Sequence, residues 1–220
     1  MRLVARGISH TFDAAECAVL DGATFEVATG ESVAILGPSG SGKSTLLSVL
    51  GGLLAPDVGT VGIVEGDDPD ASLLPGTTRH ACAWVLQTTN VLPERTARDN
   101  VAFAGLARGM ARAGALALAD DALEDVGLTY RAHTQARLLS GGELQRVVVA
   151  RALTSGRPFI LADEPTGQLD ARTSEVVLDA LLAARASSGA VGLVVVTHDA
   201  AVAERCDRTV RIHLGKVVNA

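Results

Sequence analysis

Eight residues, Gly37-Pro38-Ser39-Gly40-Ser41-Gly42-Lys43-Ser44, constrain what this chain can fold into more than any other feature. They lie between an apolar run, Ser32–Leu36, and a helix-favouring run, Thr45–Leu50. A G-x-x-x-x-G-K-[ST] string is informative only at such a junction, where a strand ends and a helix begins. There the glycines let the backbone curl until successive N–H groups converge on phosphate oxygens. The helix that follows, opened by Ser44 and Thr45, adds its unpaired N-terminal donors and its dipole. Lys43 is placed to reach the terminal phosphates, and the Ser44 hydroxyl to hold Mg²⁺. The alternative is a Gly/Ser-rich turn that happens to carry a lysine. It fits poorly, because Lys43 and Lys216 are the only lysines in the chain and arginine does the basic work elsewhere. The implied ligand is a nucleoside triphosphate.

Composition sets the frame. A length of 220 residues suits one domain, or one domain with an inserted lobe, with ample core. Hydrophobic residues make up 48% and aromatics 3%, so the core is built from Ala, Val and Leu, as in parallel α/β sheets. Mean hydropathy is positive at +0.29. Even so, the longest uncharged apolar stretches, near Leu46–Pro56 and Ser187–Thr197, fall short of the ~18 residues that a membrane-spanning helix needs. Met1–Arg6 lacks the apolar region of a signal peptide. Three scattered cysteines, Cys17, Cys82 and Cys206, read as reduced core residues and not as a disulfide set or a metal site. A net charge of −6 argues against non-specific nucleic-acid binding. The expectation is a cytoplasmic protein that reaches a membrane only through a partner.

Periodicity predicts the order of elements. Leu3–Phe12 and Ala23–Val27 read as strands with Asp21-Gly22 as a turn signal between them, followed by Ser32–Leu36 and a helix over Ser44–Leu50. Val61–Val64 and Ala81–Leu86 are further strands around a polar loop, Gly66–His80. From Thr96 to Val126, Val101, Leu106, Leu116, Ala119, Leu123 and Val126 recur at helical spacing. Strands and helices alternate again to Val218. The predicted fold is a mainly parallel α/β core with antiparallel N-terminal strands. It forms a single domain over residues 1–220, with core segments 1–87 and 147–220 and a helical insertion at 88–146.

Further motifs follow the phosphate loop in a fixed order. Leu139-Ser140-Gly141-Gly142-Glu143-Leu144-Gln145-Arg146 leads into a helical run. Then Phe159–Ala162 ends in Asp163-Glu164-Pro165, Gly167-Gln168-Leu169-Asp170 follows, and Val191–Val196 ends in Thr197-His198-Asp199. This ordered set resembles the ATP-binding cassette (ABC) ATPases over essentially the whole chain, which implies a phosphate-loop NTPase fold that binds and hydrolyses ATP with Mg²⁺. Asp163, after a buried strand, suits a hard oxygen ligand for Mg²⁺. Glu164 suits a general base or the group that orients the attacking water. A solvated strand end is the alternative for that pair.

The remaining roles rest on the resemblance. His198 is similar to the switch histidine that contacts the γ-phosphate. Gln87 is similar to the glutamine that senses Mg²⁺ and water at one end and the transmembrane partner at the other. Phe12, 25 residues before Gly37, stands where the family stacks a ring on adenine, with core packing as the alternative. Ser140-Gly141-Gly142 reads as a second anion-binding nest or as an N-cap with glycine. In the family this tract serves the ATP of a second copy in a head-to-tail dimer, and Asp170 resembles the aspartate that links the two sites. The motifs are similar to the lipoprotein-release and macrolide-efflux group, whose ATPases pair with integral membrane subunits and drive mechanotransmission from the inner face of the membrane. Two departures are the short loop Gly66–His80 and Gln168 in place of Asn. The alternatives are the similar cell-division ATPase, a soluble ABC ATPase acting on nucleic acid or ribosomes, and a phosphate-loop small-molecule kinase.

Overall fold

The computed structural model describes residues 1–12, 18–66, 73, 76–86, 88, 90–186 and 191–219. In chain order the elements are β1 (Arg2–His10), β2 (Leu20–Ala28), β3 (Ser32–Leu36), α1 (Lys43–Leu50), β4 (Val58–Val64), α2 (Thr78–Ala81), β5 (Cys82–Val85), α3 (Ala97–Ala107) and α4 (Arg112–Asp125). They continue with α5 (Gly141–Leu153), β6 (Phe159–Asp163), α6 (Ala171–Ala186), β7 (Gly192–Val196), α7 (Ala200–Glu204), β8 (Arg208–His213) and β9 (Lys216–Asn219). The chain divides into two compact units, one of Met1–Cys82, Arg157–Asp163 and Arg185–Ala220, the other of Ala83–Gly156 and Glu164–Ala184.

The first unit holds two sheets. An antiparallel sheet runs β2-β1-β4. In the second, β6, β7, β3 and β8 lie side by side in parallel, and β9 returns antiparallel along β8. The short apolar runs are buried along almost their full length, which is the pattern of strands covered on both faces. Gly192 has no room for a side chain, since a Cβ would lie 2.6 Å from the Phe159 ring and 2.7 Å from the Ala28 carbonyl oxygen. Asp207 locks the start of β3 by accepting from Ser32 N at 2.8 Å and Ser32 Oγ at 2.9 Å, and it pairs with Arg185.

Asp21-Gly22 is not a turn between strands but part of β2, next to register shifts in its pairing with β1. Gly22, at φ +65°, donates its N–H to Ser9 Oγ at 2.9 Å, so the turn-prone pair is absorbed as an irregularity of the ladder. The loop expected over Gly66–His80 also contains the start of a helical turn, Thr78–Ala81.

The second unit is helical around α3, α4 and α5. The continuous period expected from Thr96 to Val126 breaks at Arg108-Gly109-Met110, where Gly109 at φ +82° turns the chain between α3 and α4. Val101, Ala119, Leu123 and Val126 are fully buried, but Leu106 is exposed and is not a core residue. Gly105 brings the two helices close, since a Cβ there would lie 3.1 Å from the Ala115 Cβ. Buried Asn100 organises the stretch before α3. Its Oδ1 accepts from Leu92 N at 2.7 Å, and its amide donates to the carbonyls of Leu92 and Thr96.

Candidate functional site

The phosphate loop is shaped by what cannot fit. A Cβ on Gly37 would lie 2.7 Å from Ser41 Oγ, and one on Gly42 would lie 2.7 Å from the Val19 carbonyl oxygen. Gly40 and Gly42 also take positive φ, at +77° and +100°, where other residues are strained. Because glycine occupies the N-cap of α1, no side chain covers the first turn, and that turn carries no acidic residue. The donors of Lys43, Ser44 and Thr45 therefore remain for an anion. Lys43 Nζ donates to the carbonyls of Gly37 at 2.8 Å and Pro38 at 2.9 Å, which ties its ammonium to the mouth of the loop. The Ser41 hydroxyl is buried with no hydrogen-bond partner among the described residues.

Parallel pairing gathers three more groups at the same end of the sheet. Val196 of β7 is in register with Ile35 of β3 on one side and Asp163 of β6 on the other. Asp163, the phosphate loop and Thr197-His198 thus all leave the carboxyl ends of neighbouring strands, where open α/β sheets bind ligands. Thr197 is buried and receives the Asp199 N–H at 3.0 Å, while His198 is exposed. Phe12 is not a core ring. It is 46% exposed and meets His10 edge-on, with centroids 4.8 Å apart. Gln87 lies outside the described residues.

The second unit carries the other group of motifs. Ser140 caps α5. Its hydroxyl accepts from Glu143 N at 3.3 Å, and the Glu143 carboxylate accepts from Ser140 N at 2.8 Å, which completes a capping box. Gly141 and Gly142 occupy the first helical turn and neither takes positive φ, so this tract is a capped helix end and not a left-handed nest. Glycine there allows a close approach. Added Cβ atoms would lie 3.2 Å from Gln168 Oε1 and 3.1 Å from Leu169 Cδ2. That contact packs the segment between Glu164 and Asp170 against the capped end. Asp170 caps α6, accepting from Thr173 N at 3.0 Å and Thr173 Oγ1 at 2.7 Å. These donors pull its pKa below the usual carboxylate range. Glu164 is half-buried at φ +51°, a conformation that costs a non-glycine residue about 1 kcal/mol or more.

Sequence reading singled out Ser140 but passed over the partners of Glu143, namely Arg131 and Tyr130. Arg131 Nε donates to Glu143 Oε1 at 2.8 Å, and the Tyr130 hydroxyl donates to the same oxygen at 3.1 Å. The available signal was the Ser-x-x-Glu spacing of a capping box directly ahead of an apolar helix.

The sequence pattern of the family described as "ABC transporter" matches residues 20–167. The chain belongs to that family. It is 44% identical over 207 residues to the lipoprotein-releasing system ATP-binding protein LolD of Cereibacter sphaeroides, covering 92% of this chain and 91% of that protein. The corresponding protein of Geobacter metallireducens is 43% identical over 204 residues, covering 91% and 89%. Among solved structures, an ATP-binding cassette in a dimeric post-hydrolysis state bound to ADP and Pi superimposes with a TM-score of 0.86 at 33% identity, over 98% of this chain and 96% of that one. The phosphate-loop fold with antiparallel N-terminal strands expected from the sequence is the fold of this ABC chain.

Proposed function

We propose that this chain is the ATP-hydrolysing subunit of a lipoprotein-releasing type of ABC complex, and that closure of two copies around ATP powers release or mechanotransmission. The observation that carries the reading is a pair of anion-receptive helix ends in one chain, the uncapped start of α1 beside Lys43 and the Ser140-capped start of α5. A kinase reading uses only the first. The relatives, 39–44% identical over 90% or more of the chain, support the lipoprotein-releasing type.

Gly37–Thr45 cradles the triphosphate, Phe12 offers an exposed ring face to the base, and Ser140–Gly142 with Asp170 completes the site of the second copy. Ser44, Asp163 and Gln87 are the oxygen donors suited to Mg²⁺, a hard cation that keeps several waters and needs few carboxylates. Bound there, Mg²⁺ supplies charge neutralisation on the phosphates. Glu164 orients and deprotonates the attacking water, and His198, exposed at its strand end, meets the γ-phosphate. In the helical unit Leu92 and Phe103 expose apolar side chains, the kind of surface that an integral membrane subunit covers at the inner face of the membrane. Among the described residues no helix is long and apolar enough to cross a membrane.

The test is Glu164→Gln. It should bind ATP normally, hydrolyse it at least ~100-fold more slowly, and accumulate as an ATP-bound dimer on gel filtration. Near-normal turnover removes Glu164 from the reaction.

A further inference from the structure

We propose that Arg131 acts as a positioning residue that neutralises the Glu143 carboxylate at the start of α5, and so keeps that helix end receptive to the triphosphate held by a second copy of the chain. The inference rests on the in-trans role proposed above for Ser140–Gly142.

A helix N-terminus attracts anions because its first N–H groups lack partners and its dipole places about half a positive charge there. In α5 an anion is already built into the first turn. Glu143 is buried, at 8% exposure. One of its carboxylate oxygens accepts from Ser140 N, and the other from Arg131 Nε and Tyr130 Oη. Burial alone would raise the pKa of this group, but the donors from Ser140, Arg131 and Tyr130 outweigh it and bring it down to about 2. Glu143 therefore carries a full negative charge at neutral pH, beside the donors that an incoming phosphate needs.

Left uncompensated, that charge would oppose the phosphate. Arg131 supplies the opposite charge from the segment before α5, and its guanidinium also lies over the Tyr130 ring, 5.4 Å from the centroid. Tyr130 Oη in turn accepts from Arg146 Nη2 at 3.4 Å, so Tyr130 bridges residues on both sides of the capped end. The capping box engages the Ser140 N–H and the Glu143 N–H. It does not use the first-turn donors of Gly141 and Gly142 or the hydroxyl proton of Ser140.

A purely structural capping role makes a different prediction, because glutamine at the same position completes a capping box as well as glutamate does. Dimerisation of the full chain with the non-hydrolysable analogue AMP-PNP, followed by sedimentation, separates the two. Arg131→Ala should weaken association about fivefold, and the deficit should shrink at high salt. Glu143→Gln in the same chain, Arg131→Ala/Glu143→Gln, should restore association to at least the wild-type value. Glu143→Gln alone should tighten it, which keeps the test open should Arg131→Ala fold poorly. Tyr130→Phe, which removes a donor and no charge, should have little effect. An Arg131→Ala deficit that Glu143→Gln deepens or leaves unchanged overturns the proposal, as does weaker association of Glu143→Gln alone. Ser140→Arg is the control for the underlying reading. If it associates like wild type, or if wild type itself does not associate, the in-trans reading fails and this inference falls with it. If Ser140→Arg abolishes association while Arg131→Ala does not alter it, only the role of Arg131 is refuted.

Discussion

Lys43 Nζ donates to the Gly37 carbonyl oxygen at 2.8 Å, so the cation that would hold the terminal phosphates is tied to the rim of its own loop. The Gly37 and Pro38 carbonyls take two of its three donors, and a phosphate offers it an ion pair stronger than either bond. Lys43→Ala should therefore weaken nucleotide binding at least tenfold, about 1.4 kcal/mol or more, in titration with a fluorescent ATP analogue. It should leave the thermal unfolding temperature of the nucleotide-free chain nearly unchanged. An unaltered affinity would show that the ammonium never engages the ligand.

Arg98 is not the free surface cation that its place near the start of α3 suggests. It grips both oxygens of Asp120 on α4, with Nε donating to Oδ1 at 2.6 Å. That hydrogen bond and the neighbouring charges of Asp120 and Asp99 raise the Arg98 pKa. Arg98→Ala should cost about 0.5–1 kcal/mol of stability, the range for a partly exposed pair, and adding Asp120→Ala should cost little more. Strictly additive losses in urea unfolding would refute the coupling. Arg95, which is exposed, is the better probe of a docking surface.

Asn100 is buried without exposure and holds the Leu92 N–H and two carbonyls. Asn100→Leu leaves the buried Leu92 N–H without its acceptor, while the two carbonyls keep the backbone N–H groups of Arg95 and residue 100, and should destabilise the fold by about 1–3 kcal/mol. If the 92–96 segment meets the membrane subunit, partner-dependent ATPase activity should fall more than nucleotide binding does. Equal loss of both would remove the segment from any separate coupling role.

Two carboxylates predict the acid limb of stability. The Arg185 guanidinium, helped by Ser32, lowers Asp207 to about 2 from 3.8, and Glu143 falls to about 2 from 4.5. Folded pKa values below the unfolded ones mean that their contribution is fully present above about pH 4.5 and is lost as pH falls towards 2. The unfolding temperature should drop across that window. Asp207→Asn should flatten the drop and converge with wild type at its acid end. A slope unchanged in Asp207→Asn would mean that other groups set the limb.

Burial also governs the two described cysteines. It pushes the Cys82 thiol up to about 12 and the Cys206 thiol up to about 11, although both are free. Thiolate is the reactive form, so neither should react appreciably with iodoacetamide at neutral pH in the folded chain. Rapid labelling before unfolding would contradict this.

What the sequence determined by itself is what local chemistry decides. The strand-to-helix junction at Leu36–Ser44 was legible because an apolar run, the glycines and Lys43 are contiguous, and β3 spans the predicted residues. Runs such as Phe159–Asp163 read as buried strands because nothing polar interrupts them before the carboxylates. Only tertiary structure decided that Asp163, His198 and the phosphate loop leave one end of the sheet, since that depends on β7 lying in register between β3 and β6. It also decided that Arg98 belongs to Asp120, that Asp21-Gly22 sits inside a strand, and that Leu106 faces outward. Glycine at 141 and 142 lets Gln168 and Leu169 approach closely and makes no left-handed turn. The physical reason is common to all of these. Propensity and periodicity act over a few residues, whereas pairing partners, close approaches and ion pairs are chosen by distances between segments far apart in the chain.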